Sequence, residues 1–261
     1  MRLAQVRAAA EQGAHCLVVA PFAADLATAA AMVDACAKAQ VRLGCYTPEF
    51  QDPVIEQLRR MIAADWLGGP VVVQGIAGDD LALQEGPAPA HPFVDLASRH
   101  VHLTTWLTGR RAVRVTALTT RTFGPRDDGG VATALLRGGI ACSFTASHVT
   151  VARAFAVHGT DGGFRLAGDR LWLQGRREFR GEVFDYLTPG REAVLSREEL
   201  APEIAAKAGG SELLGRFARW LDDCDDFPLP GEVALDDLLV VDAMQRAARS
   251  GHSEDVEAPR A

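Results

Sequence analysis

The sequence predicts an α+β protein in which a large, mostly antiparallel sheet with flanking helices is preceded by a single βαβ unit. Two short apolar runs on either side of a helix-like segment predict the βαβ unit near the N-terminus. Several consecutive segments of alternating polarity, separated by glycine turns, predict the sheet. Segments with helical spacing before and after these strands predict the flanking helices.

The βαβ unit occupies the first part of the chain. A predicted helix at residues 2–12 is followed by the apolar strand 16–19 and a turn at Pro21. Residues 25–39 place apolar side chains at helical spacing, and residues 41–46 are typical of a second strand. A strand, a helix and a strand in this order imply a parallel pair with a right-handed crossover.

The second region begins with elements that lead into the sheet. We predict a helix at residues 54–64, a strand at 71–75, a loop at 78–92 and a helix at 93–107. The predicted strands of the sheet are residues 111–123, 131–137, 140–149, 151–158 and 163–174.

Two further helices are predicted near the C-terminus, at residues 211–222 and 235–249. We therefore divide the chain into a βαβ remnant at residues 1–48, an α+β domain at 49–230, a closing helix at 231–250 and a disordered tail at 251–261.

Composition excludes several classes of function. The net charge of -7 argues against a nucleic-acid partner, because such binding depends on Lys and Arg neutralising phosphates. No segment has the length and apolarity of a signal peptide or a membrane span, so we expect a cytoplasmic protein. The five cysteines form no C-x-x-C pair, which argues against a zinc site or a disulfide framework and favours buried free thiols.

The βαβ unit lacks the pattern that binds dinucleotides. No G-x-G-x-x-G follows a strand anywhere in the sequence, so no pyrophosphate cradle at a helix N-terminus can be identified. A single βαβ unit is also too small to cover both faces of a parallel sheet. We therefore expect the chain to begin inside a larger α/β domain.

Five local strings, in order, resemble the Gfo/Idh/MocA oxidoreductases. Residues 13–21 (GAHCLVVAP) resemble the family's "GKHVLVEKP" segment, and residues 41–53 (VRLGCYTPEFQDP) resemble the strand and "RF-x-P" turn after it. Residues 95–109 resemble the "D-x-G-x-H-x-x-D-x-x-x-W-x-x-G" helix, residues 159–162 the "GTKG" turn, and residues 228–249 the closing helix. The resemblance implies that residues 1–48 are the remnant of a Rossmann domain.

The resemblance also implies a site and a cofactor. The family uses NAD or NADP on sugars, polyols and related metabolites, although this chain could lack a cofactor of its own. The lysine of the family's "EKP" string corresponds to Ala20, beside Pro21, and these two residues mark the expected cofactor contact. The family's catalytic aspartate corresponds to Asp95, its histidine to Arg99, and a later acidic position to His102.

Asp95, Arg99 and His102 are spaced i, i+4 and i+7, so on an α-helix they project from one face. An arginine stays protonated near neutral pH and cannot be a general base, whereas His102 could take that role one turn along. The alternative is a surface ion pair between Asp95 and Arg99, with His102 a structural residue at a domain boundary.

Other residues complete the candidate site. His91, Tyr46 and His148 are candidates for substrate binding, with structural histidines as the alternative for His91 and His148. His100 and His102 form an H-x-H pair, but residues two apart on a helix point away from each other, so we predict no metal site.

These observations leave three functions open. The chain is expected to be a degenerate or partner subunit that cannot complete hydride transfer alone, since Ala20 and Arg99 replace family residues. It would form a homo-oligomer or a hetero-complex with a full-length relative and bind a sugar-like ligand, without nucleic acid or membrane. The alternatives are an NAD(P)-dependent sugar or polyol dehydrogenase whose nucleotide-binding half is missing from this chain, and a cofactor-independent enzyme that reuses the pocket.

Overall fold

The computed structural model describes residues 2–84, 89–178, 189–196, 198–200 and 212–256. The helices are α1 (Arg2–Glu11), α2 (Leu26–Lys38), α3 (Pro53–Ala63), α4 (Ser98–Thr108), a helix at Glu212–Leu221 and a long helix at Gly231–Ser250. The strands are β1 (Cys16–Val19), β2 (Leu43–Tyr46), β3 (Pro70–Gly78), β4 (Ala112–Thr120), β5 (Gly129–Leu136), β6 (Ala141–Ser147), β7 (Arg153–Gly159), β8 (Gly162–Ala167), β9 (Arg170–Gly175), β10 (Glu192–Ser196) and β11 (Glu254–Asp255).

The predicted βαβ unit is confirmed. Strands β1 and β2 pair in parallel, with α2 as the crossover between them. Helix α2 begins where the carboxylate of Asp25 accepts a hydrogen bond of 2.7 Å from the amide of Thr28. This N-cap satisfies one of the free amides at the helix start and fixes where the chain leaves β1.

The predicted α+β class is also confirmed. Nine strands form one sheet in the order β10-β9-β8-β7-β3-β6-β5-β4-β11, and β3 and β6 are the parallel neighbours among antiparallel pairs. Along β5, residues alternate between buried and exposed, because one face of the sheet packs on helices and the other does not. The long helix packs on β4 and α4, and the main hydrophobic core lies between them.

Three elements differ from the sequence prediction. The single strand predicted at 163–174 is a hairpin, in which β8 and β9 are joined by a turn where Gly168 has a φ of +58°. Strand β10 was not predicted and pairs with β9. The helix predicted at 93–107 begins with a π-helical turn, Phe93–Ala97, before α4.

The prediction of a disordered tail from residue 251 is wrong for its first part. Glu254 and Asp255 form β11 beside β4, and the Nε of Arg114 donates a hydrogen bond of 2.9 Å to Asp255. These contacts anchor the segment to the sheet edge. The rest of the predicted tail, residues 257–261, and the first residue of the helix predicted at 211–222 lie outside the described residues. No helix in the described part of the chain is long and apolar enough to cross a bilayer.

Candidate functional site

Three polar residues meet where β3 and β6 end. Because these strands are parallel and Gly78 pairs with Ser147, the next residues, Asp79 and His148, leave the sheet side by side. The Nδ1 of His148 lies 2.8 Å from Oδ1 of Asp79, and its Nε2 lies 3.6 Å from Oδ2 of Asp95 in the π-helical turn. His148 therefore stands between two carboxylates.

The environment of Asp95 suits a proton acceptor. Burial raises the pKa of Asp95, while the neighbouring His148 and a hydrogen bond of 2.9 Å from the Ala90 amide lower it. The negative charge of Asp79 raises this pKa further, and Arg99 lowers it. The Asp95 side chain is 23% exposed, whereas His148 is fully buried. Asp95 can thus touch a ligand, and His148 can act only through Asp95 or Asp79.

His91 lies at the start of the π-helical turn, next to this cluster. Its Nδ1 accepts a hydrogen bond of 3.2 Å from the amide of Phe93, and its Nε2 lies 3.4 Å from Oδ2 of Asp127. Burial lowers the pKa of His91 more than the Asp127 carboxylate raises it. Asp127 is also paired with Arg121, whose Nε lies 2.8 Å away. His91 is therefore held in place by neighbours on both ring nitrogens.

A cleft of about 360 Å³ adjoins the cluster. Gly78 and Leu96, the chain neighbours of Asp79 and Asp95, line this cleft together with Arg99 and His100. We call it the α4 cleft. Its remaining lining residues come from the segment after β2, from α3, from the end of β3, from α4 and from β7 and β8: Pro48, Glu49, Asp52, Ile55, Ala77, Leu103, Arg153, Ala154, Phe155, Leu166, Ala167 and Gly168.

His100 forms one wall of the α4 cleft. Its ring stacks on Phe155 with the centroids 5.5 Å apart, and its Nδ1 is buried without a hydrogen-bond partner among the described residues. Burial lowers the pKa of His100 to about 4, and Arg99 and Arg153 lower it as well, against Glu49. His100 is thus neutral near pH 7.

His102 lies in a different environment from Asp95. Its Nδ1 is 2.8 Å from Oδ2 of Asp237 on the long helix, both side chains are buried, and Thr105 donates to the other oxygen of Asp237 at 2.7 Å. The predicted common face of Asp95, Arg99 and His102 assumed an α-helix throughout. The π-helical turn adds a residue to that turn and changes the angle between Asp95 and the residues that follow.

The remaining predicted residues lie at the carboxyl ends of β1 and β2. The amide of Ala20 donates to the carbonyl of Tyr46 at 2.8 Å, and the Ala20–Pro21 peptide bond is cis. The carbonyl of Pro21 accepts a hydrogen bond from the guanidinium of Arg2. The Tyr46 hydroxyl donates to the side chain of Gln51 at 3.0 Å. Among the described residues, no hydrogen bond or ion pair joins Ala20, Pro21 or Tyr46 to the His148 cluster.

The βαβ unit does not fit a dinucleotide in its described residues. In a dinucleotide site the pyrophosphate takes the free amides of the helix that follows the first strand, and glycines let it approach. The turn from β1 into α2 contains no glycine, and the carboxylate of Asp25 accepts a hydrogen bond from the amide of Thr28 there. The methyl group of Ala20 supplies no positive charge. Within the same residues, no group of His, Cys, Asp or Glu is arranged to hold a metal.

Several residues of the site were not predicted from the sequence. Asp79 lies in the loop predicted after the strand at 71–75. Only the parallel pairing of β3 with β6, which the sequence does not show, places it next to His148. Asp237, Glu49 and Arg153 are distant in sequence from α4, and no local pattern marks them.

Comparison with known proteins gives a domain match and a shared fold. Residues 55–165 match the model of the GFO/IDH/MocA C-terminal domain. A structure of an oxidoreductase domain protein from Kribbella flavida has a TM-score of 0.81 and 20% identity, covering 98% of this chain and 77% of that one. No curated protein matches the sequence.

Two further solved structures carry ligands. The WlbA dehydrogenase from Bordetella pertussis, in complex with NADH and UDP-GlcNAcA, has a TM-score of 0.77 and 20% identity, covering 98% of this chain and 76% of that one. The aldose-aldose oxidoreductase from Caulobacter crescentus, complexed with glycerol, has a TM-score of 0.74 and 20% identity, covering 97% of this chain and 75% of that one.

These TM-scores show that the chain shares its fold with the three structures over about three quarters of their length. The predicted resemblance is confirmed for residues 55–165, which match the model of the GFO/IDH/MocA C-terminal domain.

Proposed function

We propose that this chain is an oxidoreductase-like protein of sugar- or polyol-related metabolism that binds a hydroxylated ligand at the α4 cleft, with Asp95 as proton acceptor. The observation that carries the proposal is the Asp79–His148–Asp95 arrangement beside the cleft. A partly exposed carboxylate whose pKa is raised by burial is a suitable base for a hydroxyl.

Each residue has a distinct part in this proposal. Asp95 contacts the ligand hydroxyl, and His148 orients Asp95 from behind while Asp79 fixes the imidazole. Arg99 cannot remove a proton, because a guanidinium stays charged, so it binds rather than reacts. His102 is assigned to structure, because both it and Asp237 are buried.

The nicotinamide dinucleotide is proposed to come from another polypeptide chain. The βαβ unit has Asp25 at the helix start and Ala20 where the family lysine would stand, and neither supports pyrophosphate or nicotinamide binding. We therefore propose that the chain works as a partner subunit and does not complete hydride transfer alone, whether the nucleotide is NAD or NADP.

Three exposed apolar side chains, in one row with a threonine on the uncovered sheet face, support a partner. Leu118 pairs with Val131, Val131 with Thr145, and Thr145 with Ile76, so the four lie across the sheet in one row. Leu118 is 73% exposed, Val131 47% and Ile76 39%. An apolar surface of this kind is typical of a protein interface, in a homo-oligomer or in a complex with a full-length relative.

One observation favours a second candidate, an NAD(P)-dependent dehydrogenase acting by itself. The Asp79–His148–Asp95 arrangement provides acid–base chemistry even though Arg99 replaces the family histidine. The two candidates differ in whether the chain alone binds a dinucleotide.

Titration with ligands tests both. We expect D-glucitol or D-gluconate to raise the melting temperature in a saturable way, because a ligand that binds the native state stabilises it. Asp95→Asn should weaken that effect, whereas Asp34→Asn on the exposed face of α2 should not. NADH and NADPH should have no effect on the chain alone. Saturable binding of NADH or NADPH would favour the second candidate. If neither D-glucitol nor D-gluconate changed the melting temperature, the proposed ligand site would be wrong.

A further inference from the structure

The α4 cleft contains two guanidinium groups that have no partner in the described part of the chain. Arg99 projects from α4 and Arg153 from the start of β7, and both line the cleft. Neither side chain makes a hydrogen bond or an ion pair within the described residues, and the Nε of Arg99 is buried. A buried donor without a partner costs free energy, because it has lost its hydrogen bonds to water.

The acidic residues of the same cleft are already engaged. The carboxylate of Glu49 accepts a hydrogen bond from the hydroxyl of Thr47. The carboxylate of Asp52 caps α3, accepting from the amide of Val54 at 3.0 Å. Each carboxylate of the cleft thus already accepts a hydrogen bond, whereas the two guanidinium groups make none within the described residues.

His100 lines the cleft together with both arginines. Both guanidinium charges lower the pKa of its imidazole, as burial also does. The ring is neutral near pH 7, and its Nδ1 is buried without a partner. One neutral imidazole and two guanidinium groups thus face the same volume of about 360 Å³.

The geometry points to a carboxylate-binding subsite formed by Arg99 and Arg153, so that the ligand of the α4 cleft is a sugar acid rather than a neutral sugar. This inference rests on the proposed function, because it names the class of ligand for the same site. A guanidinium binds a carboxylate through two parallel hydrogen bonds, and the planar fork adds selectivity to charge. The replacement of the family histidine by Arg99 then changes the ligand class instead of only removing a base.

A carboxylate fits this cleft better than a phosphate. A phosphate monoester carries nearly two negative charges at neutral pH, and Glu49 and Asp52 would repel the second one. A single negative charge matches the two cations while leaving these carboxylates undisturbed. The ligand hydroxyl next to the carboxylate would then face Asp95, whose chain neighbour Leu96 lines the cleft.

Calorimetric titration with D-gluconate and D-glucitol tests the inference. The two probes have the same six-carbon hydroxylated chain and differ in the carboxylate at one end. We expect gluconate to bind about 10- to 100-fold more tightly, the range for hydrogen bonds to a charged group. Arg99→Gln should abolish this preference, and Arg99→Lys should restore part of it, because lysine keeps the charge and loses the fork.

Controls separate a binding effect from misfolding. Arg153→Gln should also reduce the preference, and this exposed position should tolerate the change in the folded state. Arg110→Gln, an exposed arginine just past the end of α4 and outside the cleft, should leave both affinities unchanged. The melting temperature of each unliganded variant shows whether it is folded.

The outcomes distinguish this inference from the proposed function. If glucitol binds as tightly as gluconate and Arg99→Gln changes neither affinity, the carboxylate subsite is wrong while the ligand site stands. If glucose 6-phosphate binds and gluconate does not, the anion is a phosphate and the carboxylate assignment is overturned. If glucitol, gluconate and glucose 6-phosphate all fail to bind, both the carboxylate subsite and the ligand site of the proposed function are wrong.

Discussion

The Nδ1 of His148 lies 2.8 Å from the carboxylate of Asp79, although 69 residues separate them in the sequence. The contact exists because β3 and β6 are parallel neighbours and both end at this edge of the sheet. A carboxylate on Nδ1 fixes the ring so that Nε2 faces Asp95 at 3.6 Å. Asp79 thus orients His148, and His148 lies beside Asp95, the residue that we propose to contact the ligand.

Replacing His148 should destabilise the protein. His148→Leu leaves the partly buried carboxylates of Asp79 and Asp95 without the imidazole between them. We expect the free energy of unfolding to fall by about 1–3 kcal/mol, the cost of leaving such groups unpaired, as measured by urea denaturation. His158→Leu is the control, because His158 is an exposed histidine on β7, and we expect a change within about 0.5 kcal/mol. Equal stability of wild type and His148→Leu would contradict the structural role.

The His102–Asp237 contact should be structural and non-additive. Both side chains are buried, so His102→Leu or Asp237→Leu alone should cost about 3–5 kcal/mol, because each leaves a buried polar group unpaired. The double variant should cost less than the sum of the two single changes. Urea denaturation of the four proteins measures this coupling. Asp242→Asn, at a half-exposed pair on the same helix, should cost under about 1 kcal/mol.

The coupling separates the structural role from the catalytic role that the sequence predicts for His102. A strictly additive pair, or a His102→Leu protein of normal stability that no longer binds the six-carbon probes, would restore His102 to the ligand site. Normal probe affinity in the folded double variant would agree with the contact being structural.

The elements with a local sequence signal were predicted, and those that depend on distant contacts were not. Alternating strands such as β5 and the helical spacing of α2 are visible in the sequence, because burial on one face fixes their period. A π-helical turn has no comparable period, and so the turn at 93–97 was taken for an α-helix. Strand β10 pairs with β9 across a gap in sequence that no local pattern spans.

The candidate site shows the same division. Asp95, Arg99 and His148 could be named from residue type and family resemblance. Asp79, which contacts His148, and Arg153, which lines the cleft with Arg99, come from other parts of the sheet. Residue roles therefore followed from the topology of the sheet rather than from the spacing along one helix.

Gly75 should be required for the packing of His100 against the sheet. A Cβ added to Gly75 would lie 2.7 Å from Cγ of His100, closer than atoms approach, and the ring is stacked on Phe155. We expect Gly75→Ala to lower the free energy of unfolding by about 1–3 kcal/mol through overpacking, measured by thermal or urea denaturation. Gly69→Ala provides a matched control, because a Cβ there meets nothing within 4 Å. Similar stabilities of the two variants would mean that the ring moves freely.

One thiol should react much faster than the others in the native protein. Cys16, Cys36, Cys45 and Cys142 are buried, and burial raises the pKa of Cys45 and of Cys142 to about 12. Cys224 is exposed. Because the thiolate is the reactive form, a thiol-specific reagent should label one cysteine per chain quickly, and Cys224→Ser should remove that phase. Fast labelling of several cysteines would contradict the burial, and full labelling in denaturant gives the reference count.

Asp95 should make the protein less stable as the pH rises from acid toward neutral. Burial raises the pKa of its carboxyl in the native state above the ordinary value of about 3.9. Between those two pKa values the native state binds more protons than the unfolded state, so the free energy of unfolding falls as the pH increases. The contribution is therefore favourable below this window and is lost above it.

Subtraction isolates this contribution from the other titrating groups. The difference in free energy of unfolding between wild type and Asp95→Asn, measured in urea at a series of pH values, should decrease as the pH rises through the window. For Asp34→Asn, on the exposed face of α2, the same difference in free energy of unfolding should change little with pH. An increase for Asp95→Asn would mean that His148 and Arg99 outweigh burial and hold the carboxylate charged, which would remove the argument for Asp95 as a base.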